Sequence, residues 1–412
     1  MFSNRFSKRK ILWPVRLDPH FHLSTVYIKK NTDLVFIYLY EEGDDGMKIT
    51  AAKQELAKSL NIVLKAVPSK TTMNILYCVL IDATVDTIKL TGNDMELGIE
   101  TEVKGTIEER GLICLDAKLF SEIIRKMPEA DITIETGSNY QTTITCENSV
   151  FNIVGKDGTE FSPLPSVDKE NPVVMNQFQL RELIRQTLFS ISPNDANKIM
   201  TGENLQIHEN ELRMTALDGH RIAIRQLNLD SSYEDYEAII PGKTLSEISK
   251  IVSGEIEDEV RVYFTKNQIL FEMYGTLVVS RLIDGKYFRI DQMLSNDYET
   301  KIKVKKTSLM SAVDRAMLFT SESDKGTLVL TIGGDSMNLS IRSSAGSMSD
   351  DVAVESEGKE LRIGFNPKFI LDVLRVIDDE EISVYFLNSK APCFIRDDAG
   401  SYIYLVLPVN FV

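Results

Sequence analysis

Asp218 and His220 stand two residues apart in Leu217-Asp-Gly-His-Arg-Ile222, where a carboxylate could orient an imidazole for general acid–base work. One reading of the chain is therefore an enzyme on a repeated scaffold with this pair as acid and base. Little else supports it. The sequence holds no GxSxG nucleophile motif, no HExxH, no GxxxxGK[ST] phosphate loop, no GxGxxG after a strand and no acid-rich metal loop. A turn with Gly219 in the left-handed region and polar neighbours accounts for the same residues. His208 and His220 are the only histidines after residue 47. No catalytic residue, cofactor or metal is expected. Cys78, Cys114, Cys146 and Cys393 form no CxxC pair, which argues against a disulfide scaffold or zinc ribbon and suits a reducing cytoplasm.

Basic side chains make a stronger pattern. Three segments, Ala117–Met127, Gly242–Val252 and Pro367–Ile377, align at a constant interval of 125 residues. Lys118, Lys243 and Lys368 are equivalent, as are Arg125, Lys250 and Arg375, and between them lie the equivalent acids Glu122, Glu247 and Asp372. Positions i and i+7 share a helix face, so each segment presents two cations on one stripe. One such stripe is an ordinary solvated face. Repeated in register it reads as a surface for a polyanion, which binds phosphates without reading sequence. No aromatic residues interleave, so a duplex fits better than stacked single-stranded bases.

The elements that must carry these stripes also repeat. Each segment runs into an alternating strand, at Ile132–Ile134, Val260–Val262 and Ile382–Val384. A second helix type recurs at Gln54–Ala66, Phe178–Ile191 and Ser308–Phe319, with further cations at Lys58, Lys65, Arg181, Arg185, Lys305, Lys306 and Arg315. The expected class is α+β with antiparallel sheets and threefold internal repetition. Domains are expected at 47–170, 171–298 and 299–412. Residues 1–46 stand apart: they hold the only Trp and a near-neutral charge mix, make a poor signal peptide, and include one lone expected strand at Val35–Tyr40. Glu41-Glu-Gly before Met47 is also what a purine-rich ribosome-binding site gives when translated. Met47 is accordingly the expected true start.

The net charge of −15 argues against nucleic acid if taken whole. No stretch approaches the ~18 apolar residues that suggest a membrane span, so no membrane partner is expected.

Leu217-Asp-Gly-His-Arg-Ile-Ala223, Phe365-Asn-Pro-Lys-Phe-Ile-Leu-Asp-Val-Leu374 and Tyr404-Leu-Val-Leu-Pro-Val409, in order and on the threefold repeat, resemble the bacterial DNA polymerase III beta subunit, the replicative sliding clamp. The resemblance runs from Met47 to the C-terminus. It implies a non-catalytic homodimer closing a six-domain ring around duplex DNA, twelve helices lining the hole and the acidic excess outside. On this reading DNA is met by Lys70, Lys118, Arg125, Asn194, Lys198, Lys243, Lys250, Lys368 and Arg375. Lys198 stands where relatives often carry an aromatic. The resemblance also implies an apolar cleft for short peptides between the second and third domains. Its lining would be Met200, Leu217, Gly219, His220, Arg221, Ile222, Phe288, Met293, Phe369, Leu405, Leu407, Pro408 and Val409. Clients would be the DNA polymerase III alpha subunit, other polymerases and repair factors, and an ATP-dependent clamp loader would open the ring. Gln292 and Asn410 replace basic residues of some relatives. The ring seams would join Phe151 and Ile153 to Leu318 and Phe319 of the partner. A monomeric peptide-binding module is the other alternative.

Overall fold

A computed structural model describes residues 23–31, 34–41, 46–193, 196–321 and 326–411. Among these are six α-helices: α1 (Lys53–Val63), α2 (Ala117–Lys126), α3 (Gln177–Thr187), α4 (Gly242–Ile248), α5 (Lys306–Met317) and α6 (Pro367–Val376). Their starts follow from local chemistry. Asp116 accepts the Leu119 N–H at 2.8 Å, and Asn366 accepts that of Lys368 at 3.0 Å ahead of Pro367, whose missing N–H costs nothing at a helix start. Asn176 and Gln179 form a reciprocal capping box on α3. Each helix buries its apolar stripe: α2 packs Ala117, Phe120, Ile123 and Ile124 inward while Lys118 and Arg125 stay exposed.

The expected helices at 117–127 and 367–377 match α2 and α6, but the middle copy is shorter. α4 stops at Ile248, and Lys250 lies in the turn beyond it. That turn keeps helical bonds, Lys250 N–H to Glu247 O at 3.2 Å and Val252 N–H to Ile248 O at 3.0 Å, before Gly254 at φ +79° ends it. The β-branched Ile251-Val252 pair and the Ser253-Gly254 step that follow favour an early stop. Val35–Tyr40 is not a lone strand either: Leu34–Glu41 pairs antiparallel with Leu23–Asn31.

The sheets are antiparallel and cross the domain boundaries. One of nine strands runs from the first domain into the second, where Leu97–Val103 pairs with Thr276–Arg281. One of seven runs from the second into the third, where the start of Arg221–Pro241 pairs with Tyr402–Val406. A common rule governs both. The four strands Cys78–Asp82, Ile88–Asn93, Leu97–Val103 and Leu112–Asp116 leave the third of them outermost, and it accepts the closing strand of the following domain. In the third domain Leu328–Gly333, Ser336–Ser343, Gly346–Ala353 and Leu361–Phe365 repeat that order, with Gly346–Ala353 outermost. Among the described residues that strand pairs on one side only. So does Ser149–Val154, the outer strand of the first domain's five-stranded sheet.

One apolar core is continuous through the first two domains, from Met47 to Val278, and a second fills the third domain around Phe365, Leu374 and Tyr404. No helix among the described residues is long and apolar enough to cross a membrane.

Candidate nucleic-acid face and peptide cleft

Lys118, Arg125, Lys243, Lys250, Lys368 and Arg375 are all exposed, as are Lys70, in the loop after α1, and Lys198, which opens the turn Lys198–Thr201. Asn194 lies outside the described residues. The cations are not uniformly free. Arg125 pairs with Glu122 at 2.5 Å, Lys250 with Glu247 at 2.9 Å, and Lys368 with Asp372 at 2.6 Å. Lys243 instead bonds Asp94 of the first domain. Lys118 has no carboxylate within ion-pair distance among the described residues. Such surface pairs are worth about 0–1 kcal/mol each, little enough for a phosphate to displace them. Arg185 is no part of such a face: its guanidinium donates to Val376 O at 3.0 Å and pairs with Glu182 and Asp378, tying α3 to the end of α6.

The cleft residues assemble at the second junction. Leu217, Ile222 and Leu405 are buried in one apolar cluster, with Met200 and Leu407 at its edge. Phe288 and Met293, at 40% and 48% exposure, flank it on the segment that links the two domains. Gly219 sits at φ +86°, which lets the 218–221 turn close tightly, and exposed His220 lies with its ring 5.8 Å from that of Phe369. The His220 carbonyl accepts the Leu407 N–H at 2.9 Å, and Val409 N–H donates to Gly364 O at 2.9 Å, so the chain end is stitched to both domains with Pro408 between.

Arg221 departs from the expectation that it lines the groove. It is 6% exposed and lies beneath the surface. Its Nε donates to Asp218 at 3.0 Å, one terminal nitrogen to Asp372 at 2.8 Å and the other to Phe189 O at 2.6 Å. The guanidinium also stacks 4.6 Å from the Phe369 centroid and 5.2 Å from that of Phe189. Asp218 is fully used by this network and by the backbone N–H groups of His220 and Arg221, at 2.9 and 3.1 Å. It does not orient the imidazole, so the acid–base reading loses its pair.

Sequence reasoning missed Ile224, Ile290, Tyr385 and Phe394, which complete the apolar cluster. Ile224 was signalled by its alternation with Ile222; the others come from distant strands and the linker. It also missed Glu203, which is fully buried. Thr187 Oγ1 lies 2.6 Å from Leu183 O and 2.7 Å from Glu203 Oε2. One hydroxyl proton cannot serve two acceptors, so the carboxyl must keep its own proton and donate it to Thr187. Burial pushes its pKa up to about 8, in accord with that bonding. His208 is exposed and pairs with Asp235 at 2.8 Å, which raises its pKa through the hydrogen bond and the charge.

Three domains joined by continuous sheets, with an apolar groove at one joint, define a scaffold that holds other molecules. Family models for the N-terminal, central and C-terminal domains of the DNA polymerase III beta subunit match residues 47–165, 174–288 and 291–410. The beta sliding clamp of Staphylococcus aureus is 34% identical over 375 residues, covering 88% of this chain and 99% of its own length. A DNA polymerase III beta subunit from Eubacterium rectale is 54% identical, with a TM-score of 0.86 over 89% of this chain and all of that one. The sliding clamp of Bartonella birtlesii, solved bound to griselimycin, is 26% identical with a TM-score of 0.84, over 89% of this chain and all of that one. The chain belongs to the DNA polymerase III beta subunit family, the sliding clamps, and is a processivity factor rather than an enzyme.

Proposed function

We propose that two copies of this chain join head to tail into a six-domain ring that encircles duplex DNA and tethers polymerases through the cleft. The observation that carries this is the joint itself. The chain uses one joint twice, the outermost third strand of one domain against the closing strand of the next. It leaves one half of the same joint at each end: Gly346–Ala353 in the third domain and Ser149–Val154 in the first. A head-to-tail contact either closes or runs on as a filament, and two seams related by a twofold axis close it. Val150, Phe151 and Val154 are exposed on the first edge, and Leu318 is 79% exposed beside the second. Phe319 packs under Gly346, within 3.1 Å of where a Cβ would stand. These residues form the seam.

The six stripe cations, with Lys70, Asn194 and Lys198, meet phosphates at the inner surface. Contacts made to phosphate alone carry no sequence information, so the ring slides. The cleft takes short apolar peptides of the alpha subunit, other polymerases and the clamp loader, and also griselimycin, which the Bartonella protein binds. Met200, Met293 and Leu407 suit several partners because flexible side chains repack. The deciding experiment is retention on nicked circular DNA after loading, followed by linearisation. A ring stays on the circle and leaves the linear form; equal loss from both forms overturns the proposal.

A further inference from the structure

The acid that follows the first stripe cation is not equivalent in its contacts across the three repeats. Among the described residues Glu122 forms an ion pair with Arg125 alone and Glu247 with Lys250 alone, each three residues along its own chain segment. In the third repeat the residue is Asp372, one methylene shorter, with its side chain 11% exposed against 43% for Glu122 and 20% for Glu247. A single oxygen, Oδ2, accepts from Lys368 Nζ at 2.6 Å and from Arg221 at 2.8 Å. Arg375 stands 4.0 Å from the other oxygen. Lys368 points to solvent from α6, 58% exposed, whereas the Arg221 side chain is 7% exposed and belongs to the second domain.

This oxygen therefore lies between the two surfaces assigned above. On one side is a cation of the phosphate-facing stripe. On the other is the guanidinium that holds the 218–221 turn through Asp218 and stacks on Phe369, the ring beside His220. Two donors on one oxygen compete for the same lone-pair density, and charge-assisted bonds strengthen when the competing donor leaves. A phosphate that draws Lys368 away leaves Asp372 to Arg221.

We propose that Asp372 is a positioning residue that couples the two sites: duplex inside the ring releases Lys368, Asp372 then holds Arg221 and Phe369 more firmly, and the cleft binds its clients more tightly. This rests on the ring-and-cleft reading. Coupling between sites is reciprocal in free energy, so an occupied cleft in turn favours Lys368 on phosphate.

The test uses the whole protein and labelled griselimycin, comparing free ring with ring loaded on nicked circular DNA. Loading is topological, so occupancy of the circle does not depend on Lys368. Wild type should bind griselimycin about fivefold more tightly on DNA, at the low end of typical couplings. Lys368→Ala should bind it equally well on and off DNA, with the free protein already near the loaded wild-type value. Lys368 is exposed, so this variant keeps the fold. Lys104→Ala, which removes an exposed cation assigned to neither surface, should keep the fivefold ratio. Asp372→Asn should abolish the ratio and weaken binding in both states. A merely structural Asp372 would leave the ratio intact in Lys368→Ala. Equal wild-type affinity on and off the circle, or an undiminished ratio in Lys368→Ala, overturns the coupling alone. Failure to stay on the circle, or no griselimycin binding at all, overturns the ring-and-cleft reading and the coupling with it.

Discussion

The two joints inside the chain share a backbone and differ in what lies across them. At the first, the linker between domains lays Leu164 and Val167 over Tyr263, Leu270 and Val279, and Thr101 and Thr276 share a buried hydroxyl bond of 2.7 Å. Leu164 sits so close that a Cβ on Gly98 would stand 2.2 Å from it. The joint is sealed. At the second, the corresponding linker offers Ile290 and Leu294 to the cluster but leaves Phe288 and Met293 largely in solvent. A polar staple there is Arg221, buried among Asp218, Asp372 and Phe189 O, whereas the Lys243–Asp94 ion pair across the first joint has a largely exposed lysine. A groove thus arises from an existing joint by lifting the linker off it and moving the holding force underneath.

The proposed third joint, between protomers, should break most completely. Leu318→Ala with Phe319→Ala removes apolar contact from a seam with no covalent link, and native mass spectrometry should show monomers where wild type is dimeric. Next comes the contrast between staples. Arg221→Ala leaves Asp218 buried without its cation and Asp372 with Lys368 alone at hydrogen-bond distance, and should cost about 3 kcal/mol in urea unfolding. Lys243→Ala at the sealed joint should cost less than about 1 kcal/mol.

A smaller effect comes from Glu203. Its carboxyl keeps its proton in the folded state up to about pH 8, while in the unfolded chain it loses it near the ordinary value of 4.5. The folded form thus binds the extra proton between those values, so this group's contribution falls as pH rises from about 4.5 to about 8 and is level above. Glu203→Gln should remove that slope. Its unfolding midpoint should gain on wild type between pH 5 and 8 and hold a constant lead at pH 9. Smallest is the contrast of linkers. Leu164→Ala should cost about 1 kcal/mol, since the side chain is only partly buried. Met293→Ala should stay within about 0.5 kcal/mol of wild type in stability while weakening griselimycin binding.

Much of this was legible in the residues. The interval of 125 located α2, α4 and α6 and their cations. The alternating residues at Ile132–Ile134, Val260–Val262 and Ile382–Val384 lie in strands Asp131–Thr136, Glu259–Phe264 and Glu381–Phe386. What escaped depends on contacts remote in sequence. Arg221 reads as a surface charge until Asp372, 151 residues later, is brought beside it. A buried Glu203 is admissible only because Thr187 accepts its proton, which no local pattern encodes. The short α4 shows a local composition, Ile251-Val252-Ser253-Gly254, outweighing the repeat that contains it.

The open edge strand of the first domain has a consequence for the chain before it finds a partner. Ser149–Val154 exposes a row of backbone donors and acceptors beside Val150 and Val154, at 57% and 66% exposure, with no lysine or proline to blunt it. An uncapped apolar edge is a template for uncontrolled strand addition. A newly made or diluted protomer would then be the aggregation-prone species, and pairing with a second copy would serve as the protein's own protection against self-templated β-aggregation.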